Sequence, residues 1–398
     1  MACIFCKSKF HDYRSCPVQY KLRKRQDLNL FKQDYFGKAP NVFIGRHGYP
    51  RIRVGILGAE QYTQQDDPQG WSRQGIPIKD IVELRSTLIN SHFQTTIKGF
   101  NDRFAEIARE VSLARRPVDV EIGLKEKPRF RISFNEDLAP HGPNVQLRQA
   151  RITENVPVDT RVEKAASAQD LLAGDAIGKL SEKGVDGYFL TKAFSMGNFG
   201  LPLERKLVPT RWSITAVDDI IGKRKLDEVK RYAESDCVAH FGGHLGNYYL
   251  ILFFDHVWEY ELFEQYVPSQ RRSDDEVTAE TDYEPYAGRK DYVHETAGGY
   301  YAARIGVIEH LALRHRQAAV LVIRIITEEY TMPLGVWVVR EAARKALAEP
   351  PMRFADRNLM LSYAQSFMRT RFGYDIAPLI KRSLLVKSLW GQKKITEF

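Results

Sequence analysis

Alternating hydrophobic and polar residues predict strands in three regions of the chain. Between Val42 and Leu57, two short apolar runs flank a Gly-Tyr-Pro sequence, which predicts two strands joined by a turn. Segments 117–124 and 128–134 alternate as a pair of strands does, and 236–263 is rich in aromatic and β-branched residues. We therefore expect much of the chain to form sheets.

Apolar residues at helical spacing predict helices between these regions. The clearest case is 299–315, where apolar residues recur at i, i+4, i+7 and i+11 from Tyr301. Ala318–Ile326 follows as a buried strand, whereas the acidic, turn-rich stretch 268–297 is expected to be a loop. Further helices are expected at 78–92, 99–114, 166–183, 218–232, 336–348 and 355–370.

The order of these elements predicts an α+β fold. Strands and helices do not alternate regularly, so we expect mixed, mostly antiparallel sheets with packed helices. A small zinc-binding segment is expected at 1–35 and an extended tail at 386–398. Between them, we divide the core into α+β parts at 36–165 and 166–385, the second with a phosphate or nucleotide pocket.

Composition and charge narrow the class of protein. The chain has 398 residues, of which 43% are hydrophobic and 27% charged, as in soluble globular proteins. Its longest apolar run, Tyr248–Phe254, is too short to span a membrane, and no leader sequence is recognisable. We expect a cytoplasmic, nucleoid-associated protein without a membrane partner. The net charge of +9 favours a polyanionic partner, DNA above all.

Three cysteines and a histidine at the N-terminus predict a zinc site. Their C-x2-C-x4-H-x4-C spacing suits a closed, tetrahedral structural site for Zn²⁺. The spacing matches the zinc knuckle, a single-strand binder, although Lys7, Ser8 and Lys9 replace its glycines. Reduced surface thiols with a bystander histidine are the alternative. The four predicted ligands are Cys3, Cys6, His11 and Cys16.

The C-terminal residues resemble a peptide that binds the sliding clamp (PCNA). Gln392, Ile395 and Phe398 follow the pattern Q-x-x-I-x-x-F. In a 3₁₀ turn, residues three apart lie on the same side, so the two apolar side chains can fill one pocket together. The peptide stops after its first aromatic residue, and a frayed tail is the alternative.

The centre of the chain contains candidate residues for binding phosphate or a nucleotide. An arginine can hold a phosphate bidentately, an aromatic ring can stack on a base, and a hydroxyl can donate to an oxyanion. Asp218 and Asp219 are candidate catalytic residues. Structural ion pairs and core packing are the alternatives for all of them. The binding candidates are Arg46, Arg211, Trp212, Ser213, Tyr300 and Arg304.

Six longer stretches of sequence, spread over most of residues 36–348, resemble the archaeal NreA/NreB family. The resemblance implies a role in DNA damage tolerance and a terminal peptide for the sliding clamp. It also implies a second cysteine pair near Cys16, which this chain lacks, so that His11 substitutes for the fourth cysteine. The strings are FGKAPNVFIGRHGYPRIRVG, VPTRWSITAVDD, DYEPYAGRKDY, GGYYAARIGVIEHL, RQAAVLVIRIITEEY and PLGVWVVREAARKAL.

Three functions remain open at this point. The first is a DNA repair factor of the DNA damage response that binds DNA and is recruited by the clamp. The second is an enzyme acting on DNA or a nucleotide: a nuclease, a phosphodiesterase, or a nucleotidyl or ADP-ribosyl transferase. The third is an RNA-binding protein, on the knuckle-like spacing alone. The sequence contains no Walker A loop and no dinucleotide-binding glycine motif.

Overall fold

The computed structural model describes Cys3, Cys16 and residues 31–135, 138–267 and 279–391. The contacts between Cα atoms divide the chain into two compact units. The first extends up to Ile221 and includes Met332–Gly335, whereas the second contains Gly222–Thr331 and the residues from Val336 onward.

In the described residues, the first unit is built around a closed barrel of five strands. These are β1 (Asp34–Ile44), β2 (Arg51–Ala59), β3 (Ile89–Thr96), β4 (Val118–Leu124) and β5 (Asn144–Ile152). The order around the barrel is β1-β2-β3-β5-β4, and β1 closes it by pairing with β4. β3 and β5 are parallel, whereas the other neighbouring pairs are antiparallel.

Alternation along each strand separates the core of the barrel from its outer surface. Along β2, Ile52 and Val54 are buried, whereas Arg51 and Arg53 are exposed. Helix α3 (Arg103–Leu113) lies between β3 and β4 in sequence and adds its buried alanines to the same core. The barrel interior is therefore filled with apolar side chains, which leaves the polar residues of β2 on its outside.

Shorter helices complete the first unit. Asp67, Asp159 and Asp186 cap three of them by accepting hydrogen bonds from N–H groups of the first turn, groups that have no partner within a helix. The helices are α1 (Pro68–Gln74), α2 (Ile78–Ser86), α4 (Thr160–Ser167), α5 (Ala173–Glu182) and α6 (Gly187–Ser195). Helix α7 (Thr210–Val229) begins in this unit, and its residues from Gly222 onward belong to the second.

The second unit contains a mixed sheet, with six strands in the part of the chain that the structure describes. They are β6 (Val238–His244), β7 (Asn247–Phe254), β8 (Glu259–Tyr266), β9 (Glu280–Glu284), β10 (Ala319–Ile326) and β11 (Met352–Arg353). Their order is β11-β6-β7-β10-β8-β9. β8 and β10 are parallel, and the other neighbours are antiparallel.

Helices cover both faces of this sheet. They are α8 (Ala297–Arg314), α9 (Trp337–Ala348), α10 (Arg357–Phe372), α11 (Ala377–Arg382) and α12 (Leu384–Gly391). On one face, Leu250 and Leu252 share an apolar core with residues of the last three helices. On the opposite face, His240 of β6 contacts His310 of α8. The sheet therefore lies buried between two helical layers.

The predicted α+β class is confirmed, with two mixed sheets and packed helices. The predicted helix 78–92 is wrong at its end, because α2 stops at Ser86 and Ile89 begins β3. The strand predicted at 128–134 is also wrong, since β4 pairs with β1 and β5 instead. Strand β9 lies within the stretch expected to be a loop. None of the described helices is both long and apolar enough to cross a membrane.

Candidate functional site

A groove of about 1050 Å³ lies on the outer face of β2 and β3. The register of these strands pairs Arg51 with Thr96 and Arg53 with Gln94, and all four residues line the groove. Because residues two apart in a strand point to the same side, both arginines face solvent while Ile52 between them is buried. The floor of the groove therefore presents the cationic side chains of Arg51 and Arg53.

Two connections of the barrel extend this lining. The turn between β1 and β2 contributes Arg46 and Gly48, and Gly48 has a φ of 85°, a conformation that favours glycine. The connection between β4 and β5 contributes Arg131 and Ser133. Phe130 beside them packs into the barrel core, and residues 128–134 form an isolated bridge between Ser133 and His141 rather than a strand of the barrel.

Among the described residues, the side-chain charges that line the groove are all positive. The described residues that line it include no carboxylate. Apart from Arg211, none of its arginines forms a side-chain hydrogen bond or ion pair with another described residue. A concave surface with charge of one sign concentrates the field and attracts polyanions. The five arginines are Arg46, Arg51, Arg53, Arg131 and Arg211.

Two exposed aromatic rings lie next to this cationic lining. The rings of Trp212 and Tyr49 are 5.3 Å apart and 42% and 43% exposed. Trp212 follows Arg211 in the first turn of α7, where Thr210 Oγ1 accepts a hydrogen bond of 2.9 Å from the Ile44 N–H. This bond fixes the start of α7 beside the end of β1. An exposed ring beside arginines is a surface on which a base can stack.

A histidine adds neutral hydrogen-bonding capacity to the floor. His92 lies opposite Gly55 in the pairing of β3 with β2. Burial, together with the positive charge of Arg53, lowers the pKa of the His92 imidazole. The ring is therefore uncharged at neutral pH, and it contributes hydrogen bonding rather than charge to the groove.

The remaining predicted residues of α7 lie away from the described lining. Ser213 is buried and donates to the Pro209 carbonyl at 3.3 Å. Asp218 is buried, and Asp219 is half-buried. Without a carboxylate in its described lining, the groove favours anion binding over acid–base chemistry. The catalytic roles of the two aspartates stay predictions.

Tyr300 and Arg304 belong to a buried polar cluster in the second unit. The Arg304 guanidinium pairs with Glu284 at 2.7 Å, and the Tyr300 hydroxyl donates to the same carboxylate at 2.8 Å. Trp258 Nε1 donates to it at 3.1 Å. Burial alone would raise the pKa of Glu284, but Arg304 and the hydrogen bonds together hold it below its ordinary value. The contact of Tyr300 and Arg304 with a nucleotide stays a prediction.

Sequence reasoning missed most of the floor of the groove. The sequence predicts Arg46 and Arg211 as binding residues, but it does not predict Arg51, Arg53 or Arg131. The R-I-R sequence at the start of β2 carried the signal, because two arginines flanking a buried isoleucine share the solvent face of a strand. The pairing that places them beside β3 depends on barrel closure, which periodicity does not reveal.

Most residues of the two predicted terminal sites lie outside the described residues. This applies to Cys6 and His11 of the zinc site. The two described cysteines of that site, Cys3 and Cys16, are both buried. The clamp-binding residues Gln392, Ile395 and Phe398 also lie outside the described part.

Comparison with known proteins gives matches along the chain. The family model described as "Archaeal Nre, N-terminal" matches residues 11–271, and "Archaeal Nre, C-terminal" matches 284–398. DNA repair protein NreA of Haloferax volcanii is 38% identical over 325 residues, which cover 78% of this chain and 77% of that protein.

Two relatives from Archaeoglobus fulgidus match nearly end to end. DNA repair protein NreB is 31% identical over 406 residues, with full coverage of both chains. DNA repair protein NreA is 31% identical over 395 residues, with 98% coverage of both. No solved structure matches the chain.

Proposed function

The chain belongs to the archaeal Nre family, and we propose that it is a DNA repair factor that binds single-stranded DNA in the barrel groove and is recruited by the sliding clamp. Its relatives carry the name DNA repair protein, which supports the repair role. The observation that carries the DNA-binding part is a set of four arginines in the groove lining that have no carboxylate partner among the described residues: Arg46, Arg51, Arg53 and Arg131.

The topology of the barrel supports this use of the groove. The order β1-β2-β3-β5-β4, with parallel β3 and β5 and a helix between β3 and β4, is the Greek-key arrangement of the OB-fold. OB-folds bind oligonucleotides or oligosaccharides on the face of strands 2 and 3 and on adjoining loops. The groove occupies the same face, and its arginines favour the anionic ligand of the two.

The rim of the groove favours a single strand over a duplex. Trp212 and Tyr49 present exposed rings, and an aromatic ring can stack only on a base that is free of its own neighbours. In a duplex, the bases are stacked on each other and the backbone faces outward. The combination of stacking surface and cationic floor is typical of proteins that bind single strands.

Replacing Trp212 by alanine is expected to weaken binding of a single-stranded oligonucleotide by about 1–3 kcal/mol, or roughly 5- to 150-fold, the contribution of one stacked base. Fluorescence anisotropy measures the change, with the duplex of the same sequence as a second ligand. The wild-type protein should prefer the single strand. The matched control is Trp390→Ala, which removes a tryptophan 47% exposed on α12. Tighter binding of the duplex, or equal losses in the two variants, would refute single-strand stacking.

The helix that precedes the C-terminal peptide offers a firm point of attachment. Glu261 accepts hydrogen bonds from Ser383 Oγ and from the N–H groups of Leu384 and Leu385, the latter two at 3.1 Å. These bonds hold the start of α12 against β8. A short peptide that follows an anchored helix is well placed to engage a partner, which supports recruitment through Gln392, Ile395 and Phe398.

Removing residues 392–398 is expected to abolish binding to the sliding clamp, because Ile395 and Phe398 are the two apolar side chains that would fill its pocket. Surface plasmon resonance with the immobilised clamp measures the effect. The thermal unfolding temperature and the affinity for single-stranded DNA should stay unchanged, since the deletion begins after α12. Clamp binding that survives the deletion would contradict recruitment through this peptide.

We also propose that Cys3, Cys6, His11 and Cys16 hold a structural Zn²⁺ ion. Cys3 and Cys16 are buried, which suits thiolates in a closed site better than thiols on the surface. Four protein ligands leave no open position on the ion, so it would stabilise the N-terminal segment rather than take part in a reaction.

A further inference from the structure

A separate pocket of about 270 Å³ lies in the second unit, at the edge of its sheet. It is lined by residues of β6, β7 and β11 and by the last turns of α8. This volume is many times the roughly 10–15 Å³ that a cavity needs to hold one water molecule. The pocket therefore has room for a small polar ligand. We call it the histidine–arginine pocket, after His240, His310, Arg314, Arg316 and Arg353 in its lining.

The charge of this pocket is positive. Arg353 pairs with Asp236 at 3.0 Å, and Asp236 is the one acidic residue among the described residues that line the pocket. Arg314 forms no side-chain hydrogen bond or ion pair with any other described residue. Arg316 donates to the backbone carbonyl of His315 at 3.1 Å. Within the part of the chain that the structure describes, Arg314 and Arg316 thus have no carboxylate partner.

Two histidine rings meet edge to face in the same pocket. The rings of His240 and His310 are 4.8 Å apart, and His240 Nδ1 donates to the Glu349 carbonyl at 3.1 Å. Burial is the main cause that lowers the pKa of both, with Arg314 contributing in each case, and that of His310 falls to about 4. Both rings are neutral at neutral pH, and Arg314 lines the same pocket, one helical turn after His310.

The C-terminal end of α8 is expected to repel a bound anion only weakly. The C-terminus of a helix carries partial negative charge on carbonyl groups without partners. In α8, His315 adopts the left-handed conformation, and its N–H bonds to the carbonyls of Ala312 and Leu311. These bonds reduce the negative charge that the helix end presents, while Arg314 in the last turn adds a positive charge.

We propose that the histidine–arginine pocket binds a phosphate group as its monoester or as the free ion. Guanidinium groups provide paired N–H donors that match phosphate oxygens, and neutral imidazoles add further hydrogen bonds. The size of the pocket admits a phosphate with part of an attached sugar. This site is distinct from the barrel groove, because the described residues that line it all belong to the second unit.

Calorimetric titration of the full chain with inorganic phosphate tests the proposal. We expect one saturable site, weakened about 10- to 100-fold in Arg314→Ala, the range for hydrogen bonds to a charged group. Because the side chain of Arg314 is exposed, we expect this variant to fold as the wild-type protein does. The matched control is Arg371→Ala, which removes an exposed arginine from α10 on the other face of the sheet. Absence of saturable binding, or an equal loss in both variants, would overturn the proposal.

Oligonucleotides distinguish the two sources of phosphate. In a protein whose groove is disabled by Arg51→Glu and Arg53→Glu, we compare strands that end in a 5′-phosphate with strands that end in a hydroxyl. A preference for the phosphorylated end that disappears on adding Arg314→Ala assigns the pocket to strand ends. Binding of inorganic phosphate without such a preference assigns it to a small phosphorylated molecule. If neither the strand end nor the free ion binds, the pocket is not a phosphate site.

Discussion

Reversing the charges of Arg51 and Arg53 together is expected to lower the affinity for single-stranded DNA by about 100-fold or more, through lost phosphate contacts and added repulsion. Both side chains lie on the floor of the groove, and neither has a carboxylate partner among the described residues. Fluorescence anisotropy at several salt concentrations measures the change. Each phosphate contact contributes roughly 0.7 to the logarithmic salt dependence for a single strand, so the slope should fall by about 1.4.

The control for this prediction carries the same change of charge elsewhere on the first unit. Arg73→Glu with Arg103→Glu alters two exposed arginines, in α1 and α3, that are absent from the described lining of the groove. If binding depended only on net charge, both double variants would lose affinity equally. Equal losses would contradict binding of DNA in the groove. A loss confined to the Arg51 and Arg53 variant would support binding there.

Replacing Glu284 by alanine is expected to destabilise the second unit by about 3–5 kcal/mol, the usual cost of breaking a buried ion pair by removing one of its members. The Arg304 guanidinium would stay buried, and the hydroxyl of Tyr300 and the indole N–H of Trp258 would lose their shared acceptor. Chemical denaturation followed by circular dichroism measures the free energy of unfolding. Arg369→Ala, which removes an exposed ion pair with Asp375, should cost only about 0–1 kcal/mol.

The same cluster gives stability a dependence on pH. The pKa of Glu284 is lowered in the folded protein, so the carboxylate binds its proton less readily than in the unfolded chain. Its contribution is therefore fully present above the ordinary value of 4.5 and is lost as the pH falls through the lower, folded pKa. The Glu284→Ala variant should lack this part of the acid sensitivity. An unchanged stability of that variant at neutral pH would contradict the role of the cluster.

The spacing of apolar residues along the chain predicts some elements of the fold but not the contacts between them. Helical spacing placed Tyr300 and Arg304 on one face of a helix, and α8 confirms the helix. The spacing could not reveal Glu284 as their partner, because β9 reaches the cluster through strand pairing. The alternation at 128–134 was real but did not indicate a strand. There, Phe130 enters the core, whereas Arg131 faces the groove.

The sequence predicts single residues of the candidate site but not the groove that they share, because the groove is formed by contacts between distant parts of the chain. The chemistry of Arg46 and Arg211 makes both candidates for binding phosphate, but nothing in the sequence indicates that they lie in one groove. They come together because β1 and β2 bring the turn at Arg46 to the barrel rim, and Thr210 bonds the start of α7 to Ile44. Such contacts depend on tertiary structure. The domain boundary at residue 165 and the two terminal sites stay predictions.

A crystal structure of the protein with a short single-stranded oligonucleotide tests the use of the groove most directly. The strand should lie across β2 and β3, with phosphates at Arg51 and Arg53 and a base against the ring of Trp212. A strand bound outside the groove, with these three side chains left in solvent, would contradict the proposed function.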